Sequence, residues 1–131
     1  MRTVLFGMLL LLAAAFAADR DLAGGYTGEW QSKSSGNSGT IRFTLEPAGD
    51  TWKGTAGFAL DGSEVACTVR TLKVQDGKIE LSYDFVIQDL ALRSTQKGEW
   101  KAGEFHGTYE TTTADGSQAI DAGTWSAKRK P

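Results

Sequence analysis

The stretch KIELSYDFV, residues 78–86, alternates without a break. Ile79, Leu81, Tyr83 and Phe85 are apolar or aromatic, and Glu80, Ser82 and Asp84 between them are polar. Successive side chains of a β-strand point to opposite faces, so this pattern describes a strand with one buried and one wet face. Asp76-Gly77 before it is a strong two-residue hairpin signal.

The same grammar recurs along the chain, with turn signals roughly every ten residues. Strands are predicted over Tyr26–Ser32, Thr40–Glu46, Trp52–Leu60, Glu64–Val74, Lys78–Val86, Leu90–Trp100, Glu104–Thr112 and Gly123–Arg129. In the fourth of these, Val65, Cys67 and Val69 share one parity and Leu72 and Val74 the other. A bulge or bend near Thr71 accounts for the slip. Every connection is short enough for a hairpin. The expected fold is therefore all-β: an eight-stranded antiparallel up-and-down barrel, in which closure leaves no unpaired edge. A β-sandwich of the same strands is the alternative.

The chain opens MRTVLFGMLLLLAAAFAADR, with Arg2 before an apolar run and Ala15-Phe16-Ala17 after it. This is the pattern of a secretory signal peptide, cut after Ala17. It divides the chain into a signal, residues 1–17, and one β-barrel domain, residues 18–131. The expected location is secreted or periplasmic. Without Arg2, 13 of the 14 basic residues face 16 acidic ones, for a net charge of −3. The basic residues are scattered, which argues against a nucleic-acid partner. They are too few for polybasic membrane binding, and no stable membrane insertion is expected after signal cleavage. Cys67 is the single cysteine. No intrachain disulfide can form, and the residue reads as a small buried hydrophobe.

Gly28-Glu29-Trp30 on the first strand and Arg129 ending the last resemble the calycins, the group of lipocalins, fatty-acid-binding proteins and avidins. The ending Gly123-Thr124-Trp125-Ser126-Ala127-Lys128-Arg129 is similar to that of small secreted bacterial lipocalin-like domains of unknown function. The resemblance implies a barrel in which Trp30 closes one end and Arg129 packs against it from outside. The usual lipocalin disulfide is impossible here, and no biotin-site residue set is present. The resemblance therefore carries no binding specificity.

Catalytic constellations are lacking in the sequence. His106 is the sole histidine and falls out of phase with Phe105 and Tyr109, toward solvent. No Cys/His zinc spacing and no calcium-loop motif occur, so no metal or cofactor is expected. Glu64, Glu80, Asp84 and Glu110 fall on outward positions.

The inward set is mostly apolar, which is compatible with a filled core. Gly54, Ala56, Gly107 and Ala127 remove volume from it, and Ser94 and Gln96 place polar groups inside. A buried amide needs partners, which the Tyr83 or Tyr109 hydroxyl or a ligand could supply. Candidate ligand-binding residues are Phe43, Phe58, Tyr83, Phe85, Ser94, Gln96 and Tyr109. Gly-Glu-Trp occurs twice, at 28–30 and 98–100, with flanks that do not align. In a meander, Trp30, Trp52, Trp100 and Arg129 are expected at the end with compact turns, as a plug. A ligand would then enter among the longer loops at the other end. The leading expectation is a non-enzymatic barrel that binds a small, mostly apolar molecule. A protein-interaction or envelope-structural module with a solid core, and an enzyme using carboxylate or Tyr groups, remain alternatives.

Overall fold

A computed structural model describes residues 19–131; the expected signal peptide lies outside the described residues. Nine antiparallel strands follow one another: β1 Gly24–Ser32, β2 Ser38–Ala48, β3 Thr51–Lys53, β4 Ala56–Leu60, β5 Ser63–Gln75, β6 Lys78–Ile87, β7 Leu90–Lys101, β8 Glu104–Thr113 and β9 Ala119–Arg129. Eight of them close a barrel in meander order, because β1 pairs with β2 on one side and with β9 on the other. β3 is an extra strand on the tail of β2.

The expected strand Trp52–Leu60 is thus two strands. The break falls at Gly54-Thr55, where Thr55 turns its hydrogen bonds onto Thr44. Thr44 N–H donates to the Thr55 carbonyl at 3.0 Å, and Thr55 N–H donates to Thr44 Oγ1 at 2.9 Å. Side-chain bonds of this kind compete with the ladder and end it. The parity survives the break, so Trp52 and Phe58 are both buried. The slip in β5 is a bulge: Val69 pairs with Tyr83 and Thr71 with Ser82, leaving Arg70 between them.

Four hairpin turns are two-residue loops with positive φ at both positions: Asp61-Gly62, Asp76-Gly77, Gln88-Asp89 and Ala102-Gly103. That geometry matches the right-handed twist of the flanking strands.

One end of the barrel is plugged. Tyr26 stacks on Phe43 at 5.0 Å and meets Phe105 and Trp100, and Phe105 reaches Trp125. Arg129 lies over the rings of Tyr26 and Trp100, 5.8 and 5.6 Å from their centroids, and donates to the Tyr26 hydroxyl and the Asp21 carbonyl. Trp52 is also buried in the core. Asp19 binds the same end, its two carboxylate oxygens accepting the N–H groups of Asp76 and Gly77 at 2.9 Å each.

Trp30 does not belong to this plug. It is the seventh of nine residues in β1, opposite Gly39, and stands at the other half of the barrel. The two Gly-Glu-Trp copies therefore serve opposite halves, and Arg129 finds its aromatic partners in Tyr26 and Trp100 instead.

Barrel curvature needs close strand approach at particular residues. A Cβ on Gly107 would lie 1.8 Å from the Lys97 carbonyl oxygen, whereas one on Gly25 would meet only the Lys130 side chain at 3.7 Å. Gly107→Ala should therefore lower stability by about 1–3 kcal/mol, with Gly25→Ala changing it by less than about 0.5 kcal/mol. Urea denaturation of the two variants checks this; equal effects would show that Gly107 is not a point of strand contact.

Candidate functional site

The aromatic contacts of the interior fall into two sets. The first is the plug. The second joins Trp30, Phe58, Tyr83, Phe85 and Tyr109 in the other half. Trp30 meets Phe58 and Tyr109 edge-on at 6.4 and 6.3 Å, and Phe58 meets Phe85 at 4.9 Å and Tyr83 at 6.3 Å.

These five rings line a cavity of about 150 Å³. Leu60, Ile87, Leu92 and Ile120 complete its apolar wall, and Ser94, Gln96, Thr111 and Asp121 its polar part. The lining strands end at the β1–β2, β4–β5, β6–β7 and β8–β9 connections, opposite the plug. Ile120 reaches the cavity through a second bulge: Thr111 pairs with Asp121 and Thr112 with Ala119, which leaves Ile120 unpaired and re-aims it. Ile120, which lines the cavity, is 42% exposed, so the mouth has an apolar rim there.

Of the residues expected to bind a ligand, Phe58, Tyr83, Phe85, Ser94, Gln96 and Tyr109 all meet at this cavity. Phe43 does not. It packs on Tyr26, Phe105 and Trp125, beneath the cavity and within the plug. Trp30 moves the other way, from expected plug to cavity wall. Its indole N–H donates to the Ala59 carbonyl at 3.2 Å and ties β1 to β4. Asp121 and Thr111 were not singled out from the sequence. Their parity with Gly123 and Tyr109 places them inward, but the expected last strand began at Gly123 and so stopped short of Asp121.

The polar groups form small bonded units. Gln96 Nε2 donates to the Tyr83 hydroxyl at 2.9 Å, and Thr111 Oγ1 donates to Ser94 Oγ at 3.1 Å. Tyr109 donates to Asp121 Oδ2 at 2.8 Å, and Ser32 donates to Oδ1 at 2.7 Å. The Tyr109 ring gains its place because residue 123 is Gly: a Cβ there would stand 2.8 Å from the ring. Gln96 Oε1 has no hydrogen-bond partner among the described residues, and the residue is only 2% exposed. A buried amide oxygen without a donor is costly, and sites of this kind call for an explanation.

Burial raises the pKa of both phenols well above the ordinary value. For Tyr83 burial is the main cause, and for Tyr109 the Asp121 carboxylate adds to it. Both hydroxyls therefore stay protonated as hydrogen-bond donors. On the neighbouring wall, burial pushes the Cys67 thiol up to about 12, with Arg42 opposing weakly. His106 lies outside, half-exposed, 2.8 Å from Glu104.

No family model matches the chain, and neither the curated proteins nor the solved structures contain a significant match. What the geometry defines is an eight-stranded antiparallel closed barrel, consistent with a calycin-like fold.

Two predictions follow from these contacts. Gln96→Met should hold or raise the stability of the ligand-free protein, since it removes an unpaired buried acceptor. Tyr83→Phe should lower it by about 1–3 kcal/mol, because the Gln96 amide then loses its remaining partner. Chemical denaturation gives the sign of each change. Separately, Cys67 should resist alkylation by iodoacetamide at pH 8 in the folded protein and react readily in denaturant, since only the thiolate attacks. Rapid labelling of the native chain would contradict its high ionisation point.

Proposed function

We propose that this barrel is a secreted, non-enzymatic, lipocalin-like carrier that binds one small, mostly apolar molecule in the cavity opposite the plug. The observation that carries the reading is the combination of an aromatic cavity with the unpaired Gln96 oxygen in its wall. Apolar pockets with a few convergent polar groups are the usual form of a small-molecule site. Export rests on the signal-like N-terminal sequence.

Size narrows the ligand. About 150 Å³ is the volume that a single benzene-like ring fills. A whole sterol or long acyl chain is too large, although one end of a longer molecule fits if the rest lies across the apolar rim. Chemistry supports binding over catalysis. The phenols in the cavity are driven away from ionisation at neutral pH, the reverse of what a nucleophile or general base requires.

Native mass spectrometry of the protein from its own compartment, and thermal shifts against single-ring aromatic compounds, test the proposal. A ligand at a hundred times its Kd should stabilise the fold by about 2.7 kcal/mol. Leu60→Trp, which adds bulk at the cavity wall, should weaken that binding at least tenfold. A protein that purifies empty and shifts with no compound would refute the carrier reading.

A further inference from the structure

We infer that the ligand is a small organic cation, a protonated amine attached to one apolar ring or short chain, with Asp121 as its counter-ion. This rests on the carrier reading and specifies its ligand class. Among the described residues that line the cavity, Asp121 is the only charged one, and none is Lys or Arg. Its carboxylate is held entirely by neutral hydroxyls, from Ser32 and Ser34 on Oδ1 and from Tyr109 on Oδ2. A carboxylate offers about four acceptor sites, so Oδ2 keeps one open.

The surroundings suit a cation and no other charge. Tyr109, which bonds Asp121, meets Trp30 edge-on, and Trp30 also meets Phe58 edge-on. Aromatic faces attract ammonium groups, and a carboxylate beside them adds a full opposite charge. A fatty acid or other carboxylate would find Asp121 repelling it and no basic residue to offset that. The open position on Asp121 Oδ2 is an acceptor, which is the complement of an ammonium or amine.

The test uses three probes of similar size on the full protein at neutral pH: benzylammonium, its neutral isostere ethylbenzene, and benzoate. Calorimetry or ligand-observed magnetic resonance gives each Kd. Benzylammonium should bind at least tenfold more tightly than ethylbenzene, and benzoate more weakly than either. Raising the salt concentration should weaken benzylammonium and leave ethylbenzene unaffected, a check that needs no variant. Asp121→Asn should shrink the ratio of the first two affinities below threefold. Equal affinities in the wild type, or a ratio that survives in Asp121→Asn, would overturn the counter-ion role while leaving the carrier reading intact. Failure of all three probes to bind would overturn the cation assignment, and the carrier reading falls with it only if the protein also purifies empty.

Discussion

The pairing of β1 with both β2 and β9 is the constraint on which the molecule depends. Without it the sheet would be an open ribbon with two bare edges and no inside. Closure turns each alternating strand into a wall with one face inward, and so converts a sequence rhythm into an enclosed volume. Both of its ladders run nearly the length of β1, from Gly24 to Ser32. Tyr26 and Trp30, four residues apart on that one strand, reach the two halves of the interior. β1 is at once the seam and the strand that holds the plug and the cavity at a fixed separation.

The interior is divided by chemistry as well as by position. At the plugged end, rings stack on one another and a guanidinium covers them from outside. At the other end, rings surround space, and the polar groups among them are incompletely bonded. A barrel selected only for stability would fill that space and replace Gln96 with an apolar side chain of like volume. Proteins break local rules of this sort where function requires it. The Trp52 indole N–H, on the plugged side, is also buried without a partner, but of the two only Gln96 belongs to the wall of a cavity, which is what makes its unpaired oxygen informative.

Much of this was legible in the sequence, because a period of two leaves little freedom once one face must be buried. The strands, their meander order and the bulge after Val69 all follow from alternation and its one interruption. Six of the seven expected cavity residues meet in one place for the same reason. What was lost depends on position along a strand. Trp30 has the right parity but was assigned to the wrong end, because parity says which face a residue takes and not how far along it lies. Phe43 likewise has the inward parity but lies among the plug rings. The break at Gly54-Thr55 comes from side-chain bonds to Thr44 on another strand, which no local pattern reveals. Asp121 lay in a stretch rich in turn residues, TADGSQAID, whose final part is strand only because β8 extends far enough to pair with it. Gln88-Asp89 adopts its paired positive φ values without a glycine to announce them.

Asp19, which caps the Asp76-Gly77 turn, and Arg129, which roofs Tyr26 and Trp100, sit at the same pole of the barrel. Asp19, the first described residue, and Arg129 near the last thus lie on the side away from the cavity. Anything joined covalently before Asp19 or after Arg129, whether a surface, a label or a second protein, would be attached at the sealed base. The mouth would then face outward like a cup set on its stem, free to exchange its contents with the surrounding solution.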